Sequence, residues 1–177
     1  MMNWNKFFLC RNGYFSKEIR IRPNSQIYLI VLIQLNTGLR IGDVLSLRRK
    51  NINNSFLNIK ERKTNKIQNR RINSDIYNII EDYCKKRKIK YEEKIFDVGV
   101  RWVQKYLQKI AKIIDIYGMS THSFRKTYAH LQYINSNCNV ELVRKLLNHS
   151  SISVTQRYLG INDDEVNLAS SSFKIIF

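Results

Sequence analysis

The chain has 177 residues, enough for one domain of ordinary size. Hydrophobic residues make up 44% and aromatic residues 11% of it, a composition that argues against wholesale disorder. Lysine and arginine number 31 against 14 acidic residues, so the formal charge is +17. This excess predicts a polyanionic partner, nucleic acid before an anionic membrane surface.

Membrane insertion, export and a disulfide framework find no support in the sequence. The longest apolar run, Ile27 to Ile33, is short enough for a core helix, and Met1 to Phe8 lacks the layout of a signal peptide. The three cysteines, Cys10, Cys84 and Cys138, are isolated and odd in number, which fits a reducing cytoplasm.

Cap and turn residues predict where the first helices begin and end. Residues 1–23 are basic and aromatic without clear periodicity, and we interpret them as a lead-in segment. Asn24 or Ser25 then caps a buried helix that stops at Gly38. A second helix, Ile41 to Leu47, follows at once.

A hairpin and a series of helices make up the rest of the chain. A strand from Phe56 leads to a turn at Thr64 to Lys66, where Asn65 tolerates the left-handed conformation, and Ile67 to Ile72 returns. The predicted helices begin at Ser74–Asp75, span Val100 to Ile114, begin near Ser123, and span Val140 to Leu147, Ser153 to Leu159 and Asp163 to Ala169. The predicted fold is mainly α with one small antiparallel β-sheet, an α+β protein.

Cationic and nucleophilic residues cluster at several points. Arg40 lies at a junction between helices, where Asp43, three residues on, could hold its guanidinium in one rotamer. His122 and Arg125 have the same i, i+3 spacing, so both could reach one anion. Two arginine forks suit the non-bridging oxygens of a phosphate.

Further candidates are Lys63 and Lys66 at the hairpin tip, and His149 with Tyr158 nine residues later. Taken singly, each of these features is more often a surface ion pair, a solvated charge or a packed aromatic. A zinc site is not predicted, because His122, His130 and His149 fit no regular ligand spacing.

Order and spacing together resemble a known family. The segments "LNTGLRIGDVLSL" (35–47), "THSFRKTYAHLQY" (121–133) and "VRKLLNHSSISVTQRYLGI" (143–161) look like the arginine boxes of tyrosine recombinases, the phage-integrase family. The resemblance covers roughly residues 25–165 and implies that family's catalytic-domain fold. The sequence departs from the pattern at Asn65, where a Gly is frequent, and at Lys126, where many members have His.

The resemblance implies a role for each matching residue. Arg40 and Arg125 would hold the scissile phosphate, with His122 and His149 beside them. Lys63 would protonate the leaving oxygen, Tyr158 would be the nucleophile and Asp43 would support the site. Residues expected to contact DNA are Lys66, Arg70, Arg71, Lys126 and Arg144.

The implied activity is site-specific recombination or integration of DNA through a covalent 3′-phosphotyrosyl intermediate, with neither metal nor ATP. Two alternatives stay open: a DNA-binding regulator that no longer recombines, and a topoisomerase-like relaxing enzyme. The expected partners are double-stranded DNA and further copies of the chain in a tetrameric synapse, with no membrane. We expect a cytoplasmic protein encoded by a bacterium, phage or mobile element.

The predicted organisation has three parts: the lead-in at 1–23, the catalytic domain at 24–170 and an apolar tail at 171–177. The lead-in is too short for the N-terminal helical domain that the family usually carries, so the chain is either a compact recombinase or a piece of a longer one. The tail, Phe173 to Phe177, either packs into a neighbouring subunit or folds onto its own domain.

Overall fold

The computed structural model describes residues 5–11, 14–21 and 25–161, together with positions 167, 170–172 and 174. The chain divides into two compact units, Met1–Tyr128 and Ala129–Phe177. Most of the predicted helix Asp163 to Ala169 and most of the predicted tail at 171–177 lie outside the described residues. The proposed boundaries at 24 and 170 therefore stay predictions.

The first unit begins with a two-stranded antiparallel sheet where the sequence indicated only a lead-in. Strand β1 (Asn5–Arg11) pairs with β2 (Tyr14–Ile21), and the register shifts between Leu9 and Cys10. The sequence does not show the alternation of apolar and polar residues that is typical of a half-buried strand, because residues 7–10 are four consecutive apolar residues.

Helix α1 (Gln26–Thr37) carries the centre of the first unit's core. Ser25 is its N-cap and its hydroxyl accepts the Tyr28 N–H at 3.2 Å, which confirms one of the two predicted caps. Gly38 ends the helix in the left-handed conformation (φ 65°), as predicted. A single turn, α2 (Ile41–Val44), follows and is shorter than the predicted helix to Leu47.

The predicted hairpin is confirmed and belongs to a three-stranded antiparallel sheet, ordered β3 (Ile52–Asn53), β4 (Phe56–Lys60) and β5 (Ile67–Arg71). Its register sets Phe56 opposite Arg71 and Lys60 opposite Ile67. Leu57 and Ile59 are buried while their neighbours along β4 are exposed, so one face of this sheet packs on the core. The two-residue strand β3 was too short to predict.

Helices complete the first unit's core. They are α3 (Ser74–Lys86), α4 (Val100–Ile113) and the start of α5 (Ser123–Asn135). Ile80, Val103, Leu107 and Phe124 are almost fully buried in one apolar cluster with α1. Each such side chain contributes roughly 1.5–3 kcal/mol relative to exposure, so this cluster supplies the rigidity on which the site depends.

The second unit contains the end of α5, α6 (Val140–Leu147) and α7 (Ile152–Leu159). Residues next to α6 and α7 cap these two helices: Asn139 and Ser151 accept backbone N–H groups at the N-termini. Asn148 (φ 55°) and Gly160 (φ 83°) end the two helices in the left-handed conformation. Among the helices of the described residues, none meets the length and apolarity needed to cross a membrane.

Candidate active site

Arg40 is held by Glu61, not by the predicted Asp43. Arg40 is the residue just before α2, and its Nη1 donates to Oε2 of Glu61 at 2.8 Å. The Glu61 carboxylate is fully buried, whereas the Arg40 side chain keeps 21% of its exposure. One side of the guanidinium is therefore fixed, and the other can still meet a ligand.

Arg125 is anchored at the end of α1. Its side chain is 2% exposed, and Nη1 donates to the carbonyl oxygen of Gly38. The carbonyl end of a helix carries partial negative charge, which favours a cation at this position. Buried Gln34 braces the same place, because its amide donates to the carbonyls of Leu39 at 3.2 Å and Thr121 at 3.1 Å. The residues just before Arg40 and His122 are thus tied to one side chain.

His122 lies at the start of α5 among cations. Loss of solvation around the ring lowers the pKa of His122, and the charges of Arg125, Arg40, Lys126 and Lys63 lower it further, in that order. The imidazole is therefore held in its neutral form at neutral pH, able to accept a proton. These four cations are therefore close enough to the ring for their charges to act on its pKa.

Lys63 is exposed in the turn between β4 and β5. The residues beside it are fixed: the Arg62 N–H donates to Oδ1 of Asp43 at 2.9 Å, and the Thr64 hydroxyl donates to Glu61 at 2.5 Å. Asn65 has φ 55°, so the predicted left-handed turn residue is confirmed. Asp43, 2% exposed, thus supports the lysine turn and does not contact Arg40.

The second unit holds His149 between two tethers. Its ring nitrogen Nδ1 lies 3.1 Å from the hydroxyl of buried Thr155, and its carbonyl accepts Nη1 of Arg144 at 2.9 Å. Arg144 also makes a two-pronged ion pair with Glu141, at 2.7 Å for each contact. His149 itself is 7% exposed, so its ring orientation is set by its neighbours on α6 and α7.

Tyr158 lies in the last turn of α7 against His149. The two ring centroids are 5.5 Å apart with planes at 80°, an edge-to-face arrangement. The hydroxyl oxygen of Tyr158 is shielded from solvent. Within the second unit, the structure therefore brings the predicted nucleophile and the predicted histidine together.

The residues predicted to contact DNA fall into two groups. Lys66, Arg71 and Lys126 are exposed. Arg70 instead is half-buried and hydrogen-bonded to the hydroxyl of buried Tyr128, and burial lowers the pKa of Arg70. Arg144 is occupied by Glu141 and His149, which favours a positioning role over the predicted phosphate contact.

Sequence reasoning missed the buried polar residues that hold the site. Glu61, Gln34 and Thr155 are each almost completely buried, and each contacts a predicted site residue or the backbone beside one. One signal was present for Glu61, because a carboxylate two residues from a hairpin lysine is well placed to fix the turn. Gln34 lies in an otherwise apolar helix, and its role depends on Thr121, 87 positions away.

Comparison with known proteins identifies the family of the chain. The profile of the Phage integrase family matches residues 17–165. This chain belongs to that family. It is 31% identical over 166 residues to the "Probable integrase/recombinase YoeC" of Bacillus subtilis, covering 89% of this chain and 90% of that protein. It is 29% identical over 153 residues to the "Tyrosine recombinase XerC" of Caldanaerobacter subterraneus, covering 80% of this chain and 43% of that protein.

Solved structures confirm the predicted fold class. XerH recombinase bound to its difH substrate superposes with a TM-score of 0.65 at 19% identity, over 83% of this chain and 45% of that one. The catalytic domain of bacteriophage HP1 integrase gives 0.57 at 21%, over 81% of this chain and 80% of that one. The fold of this family member is that of a tyrosine recombinase catalytic domain, and the chain spans about half the length of the XerC and XerH proteins.

Proposed function

We propose that this chain is a tyrosine-type site-specific DNA recombinase that breaks and rejoins DNA through Tyr158. The observation that carries the proposal is the cation cluster of the first unit, in which buried Glu61 holds Arg40 and the Gly38 carbonyl holds Arg125. The charges of both arginines also act on the pKa of His122. Family membership supports it, since relatives are named tyrosine recombinases and integrases.

The cluster suits a phosphodiester. In the proposed reaction, Arg40 and Arg125 hold the two non-bridging oxygens and stabilise the charge that develops as phosphorus becomes five-coordinate. Their fixed partners, Glu61 and the Gly38 carbonyl, keep the guanidiniums oriented before DNA arrives. Such preorganised donors are worth the most where no rearrangement is needed during the reaction.

The covalent step uses the second unit. The Tyr158 oxygen attacks phosphorus while its proton passes to neutral His122, and the bond from phosphorus to the 5′ oxygen breaks. Lys63 donates a proton to that oxygen, and His149 donates a hydrogen bond to the phosphate. The product is a 3′-phosphotyrosyl bond and a free 5′-hydroxyl. Attack by another 5′-hydroxyl reverses the steps and joins new strands without ATP.

DNA is the partner that fits the charge. The formal charge of +17 and the exposed Lys66, Arg71 and Lys126 favour binding to the phosphate backbone. Strand exchange needs two duplexes and one nucleophile for each strand cut. We therefore propose that the chain acts as a tetramer on DNA, in the cytoplasm where that DNA lies.

Covalent trapping tests the proposal. A pool of nicked duplexes with a randomised core loses the short strand after cleavage, so the adduct accumulates and survives denaturing gel electrophoresis. Wild-type protein should form it, and Tyr158→Phe should bind the pool without forming it. DNA binding without any adduct in the wild type would favour the regulator. An adduct whose only product is relaxed plasmid, with no exchange between two sites, would favour the relaxing enzyme.

A further inference from the structure

The carboxylate of Glu61 accepts three side-chain hydrogen bonds beside the proposed site. Glu61 follows β4 directly and has no solvent exposure. Oε2 accepts hydrogen bonds from Arg40 at 2.8 Å and from Thr64 at 2.5 Å, and Oε1 accepts one from Gln68. A buried carboxylate is destabilising unless its oxygens are paired, and these three donors compensate for the burial of Glu61.

The backbone of Glu61 closes the lysine turn as well. Its N–H donates to the Lys66 carbonyl and its carbonyl accepts the Asn65 N–H, both at 2.9 Å. With the Thr64 hydroxyl on the carboxylate, the three residues that follow Lys63 are all tied to Glu61. Lys63 itself is exposed, so the turn fixes the point from which its side chain extends.

We propose that Glu61 is a positioning residue that couples Arg40 to Lys63. One carboxylate fixes the group that stabilises charge on phosphorus and the turn that carries the leaving-group acid. This inference rests on the proposed recombinase chemistry. It differs from the sequence-based expectation, in which Asp43 supported Arg40, because Asp43 contacts the Arg62 N–H instead.

Substitutions can separate the contact of Glu61 with Arg40 from its contact with the turn that carries Lys63. Thr64→Val keeps the shape of the side chain and removes only the hydroxyl link to the turn. Glu61→Gln keeps an oxygen that can accept from Arg40 and Thr64, but removes the negative charge. Gln68 can adapt to the new amide, because its own Oε1 is buried without a partner. The matched control is Glu92→Gln, which changes an exposed carboxylate paired with Lys50 at 2.6 Å.

The experiment measures the rate of cleavage of two nicked trapping substrates. They differ in the atom that leaves the scissile phosphate, which is either the normal 5′ oxygen or a bridging 5′ sulfur. A thiolate leaves without protonation, because thiols have a pKa of ~8.5, so sulfur bypasses Lys63. On oxygen, we expect cleavage per bound complex to fall roughly 10-fold in Glu61→Gln and about 3-fold in Thr64→Val. On sulfur, Thr64→Val should reach the wild-type rate and Glu61→Gln should recover only in part, because Arg40 stays misplaced.

Other outcomes overturn the coupling. Wild-type cleavage of the oxygen substrate by Glu61→Gln, with binding and melting temperature like those of Glu92→Gln, removes the positioning role. If the cleavage rate of Glu61→Gln recovers fully on the sulfur substrate, Glu61 does not position Arg40. If the cleavage rate of Thr64→Val does not recover on that substrate, the hydroxyl of Thr64 does not position Lys63. Failure of the proposed function looks different, because wild-type protein would then form no adduct on either substrate.

Discussion

The two units fix their own proposed catalytic residues by different means. In the first unit, the contacts that fix Arg40 and Arg125 join residues 21 and 87 positions apart. In the second unit, His149 is fixed by partners five and six positions away, and Tyr158 packs on the same ring. One half of the chemistry therefore depends on the folding of a whole core, and the other on a short pair of capped helices.

This difference has an energetic consequence. Long-range contacts form only after the chain between them has been ordered, so they are lost together when the core weakens. The local contacts of α6 and α7 need only those helices and their caps. Substitutions in the first unit's core should therefore disturb phosphate binding by Arg40 and Arg125 before they disturb the environment of Tyr158.

The largest effect is expected for Arg125→Ala. Loss of a preorganised donor to the developing charge should lower cleavage per bound complex about 10³-fold, while DNA affinity changes only slightly. Quantifying trapped adduct against bound DNA measures both. Arg125→Lys is the matched control, since it keeps the charge but loses the planar fork. A collapse of binding with cleavage per complex intact would contradict the role given to Arg125.

Arg144→Ala, on α6 in the second unit, should have an intermediate effect on cleavage. It releases the His149 carbonyl and the Glu141 ion pair, so we expect cleavage to fall roughly 10-fold with little change in binding. Lys145→Ala is the control, because Lys145 is exposed and lies 4.0 Å from the same glutamate. If Arg144 contacts phosphate instead, its loss should weaken binding and reduce the salt slope by about one.

The pH dependence of DNA binding should report on His122, with a change of a few-fold. Burial of the ring and then the nearby cations lower its pKa in the free protein. A bound phosphate offsets the effect of the cations, so the complex takes up a proton as pH falls. Affinity should therefore rise more between pH 8 and 5.5 in wild type than in His122→Asn, as measured by fluorescence anisotropy (with pH values chosen around the ordinary pKa of ~6.5). Equal slopes in the two proteins would contradict the cation cluster.

Folding stability should show the opposite sign. Because the folded-state pKa of His122 is lowered, the unfolded chain binds more protons near pH ~6.5. The contribution of His122 is thus complete above that pH and declines as pH falls toward the folded-state value. His122→Asn should lose less stability than wild type over this interval, as followed by urea denaturation.

The smallest expected effect is on the salt dependence of DNA binding, which should differ between an exposed and a half-buried cation. Lys66→Ala removes one phosphate contact, so the slope of log affinity against log salt should become shallower by about one, with the melting temperature unchanged. Arg70→Ala should leave the slope unchanged and lower the melting temperature, because Arg70 is bonded to buried Tyr128. The reverse pattern would show that Arg70 faces DNA.

The elements that depend on local signals were the easier ones to predict from sequence, in both units. Caps, left-handed turn residues and apolar spacing lie within a few positions of each other, so α6, the hairpin and the end of α1 at Gly38 were predicted closely. The N-terminal sheet was missed, because its consecutive apolar residues hide the period of a strand.

The identity of supporting partners was harder to predict. The i, i+3 spacing of Arg40 and Asp43 suggested a pair, yet the fold brings Glu61 to Arg40 from a different element. Arg70 and Arg144 show the same limit: sequence records their charge but not the buried hydroxyl or the carbonyl that occupies them. Which polar partner a side chain meets is decided by tertiary packing.

We propose that Tyr158, Arg40 and Arg125 act on the same phosphorus atom. Mass spectrometry of the protease- and nuclease-digested adduct tests it most directly, with adduct yields compared between wild type, Arg40→Ala and Arg125→Ala. We expect a nucleotide joined through its 3′-phosphate to Tyr158, and a yield that collapses in both arginine variants. A nucleotide on another residue, a 5′ linkage, or full yield without either arginine would contradict it.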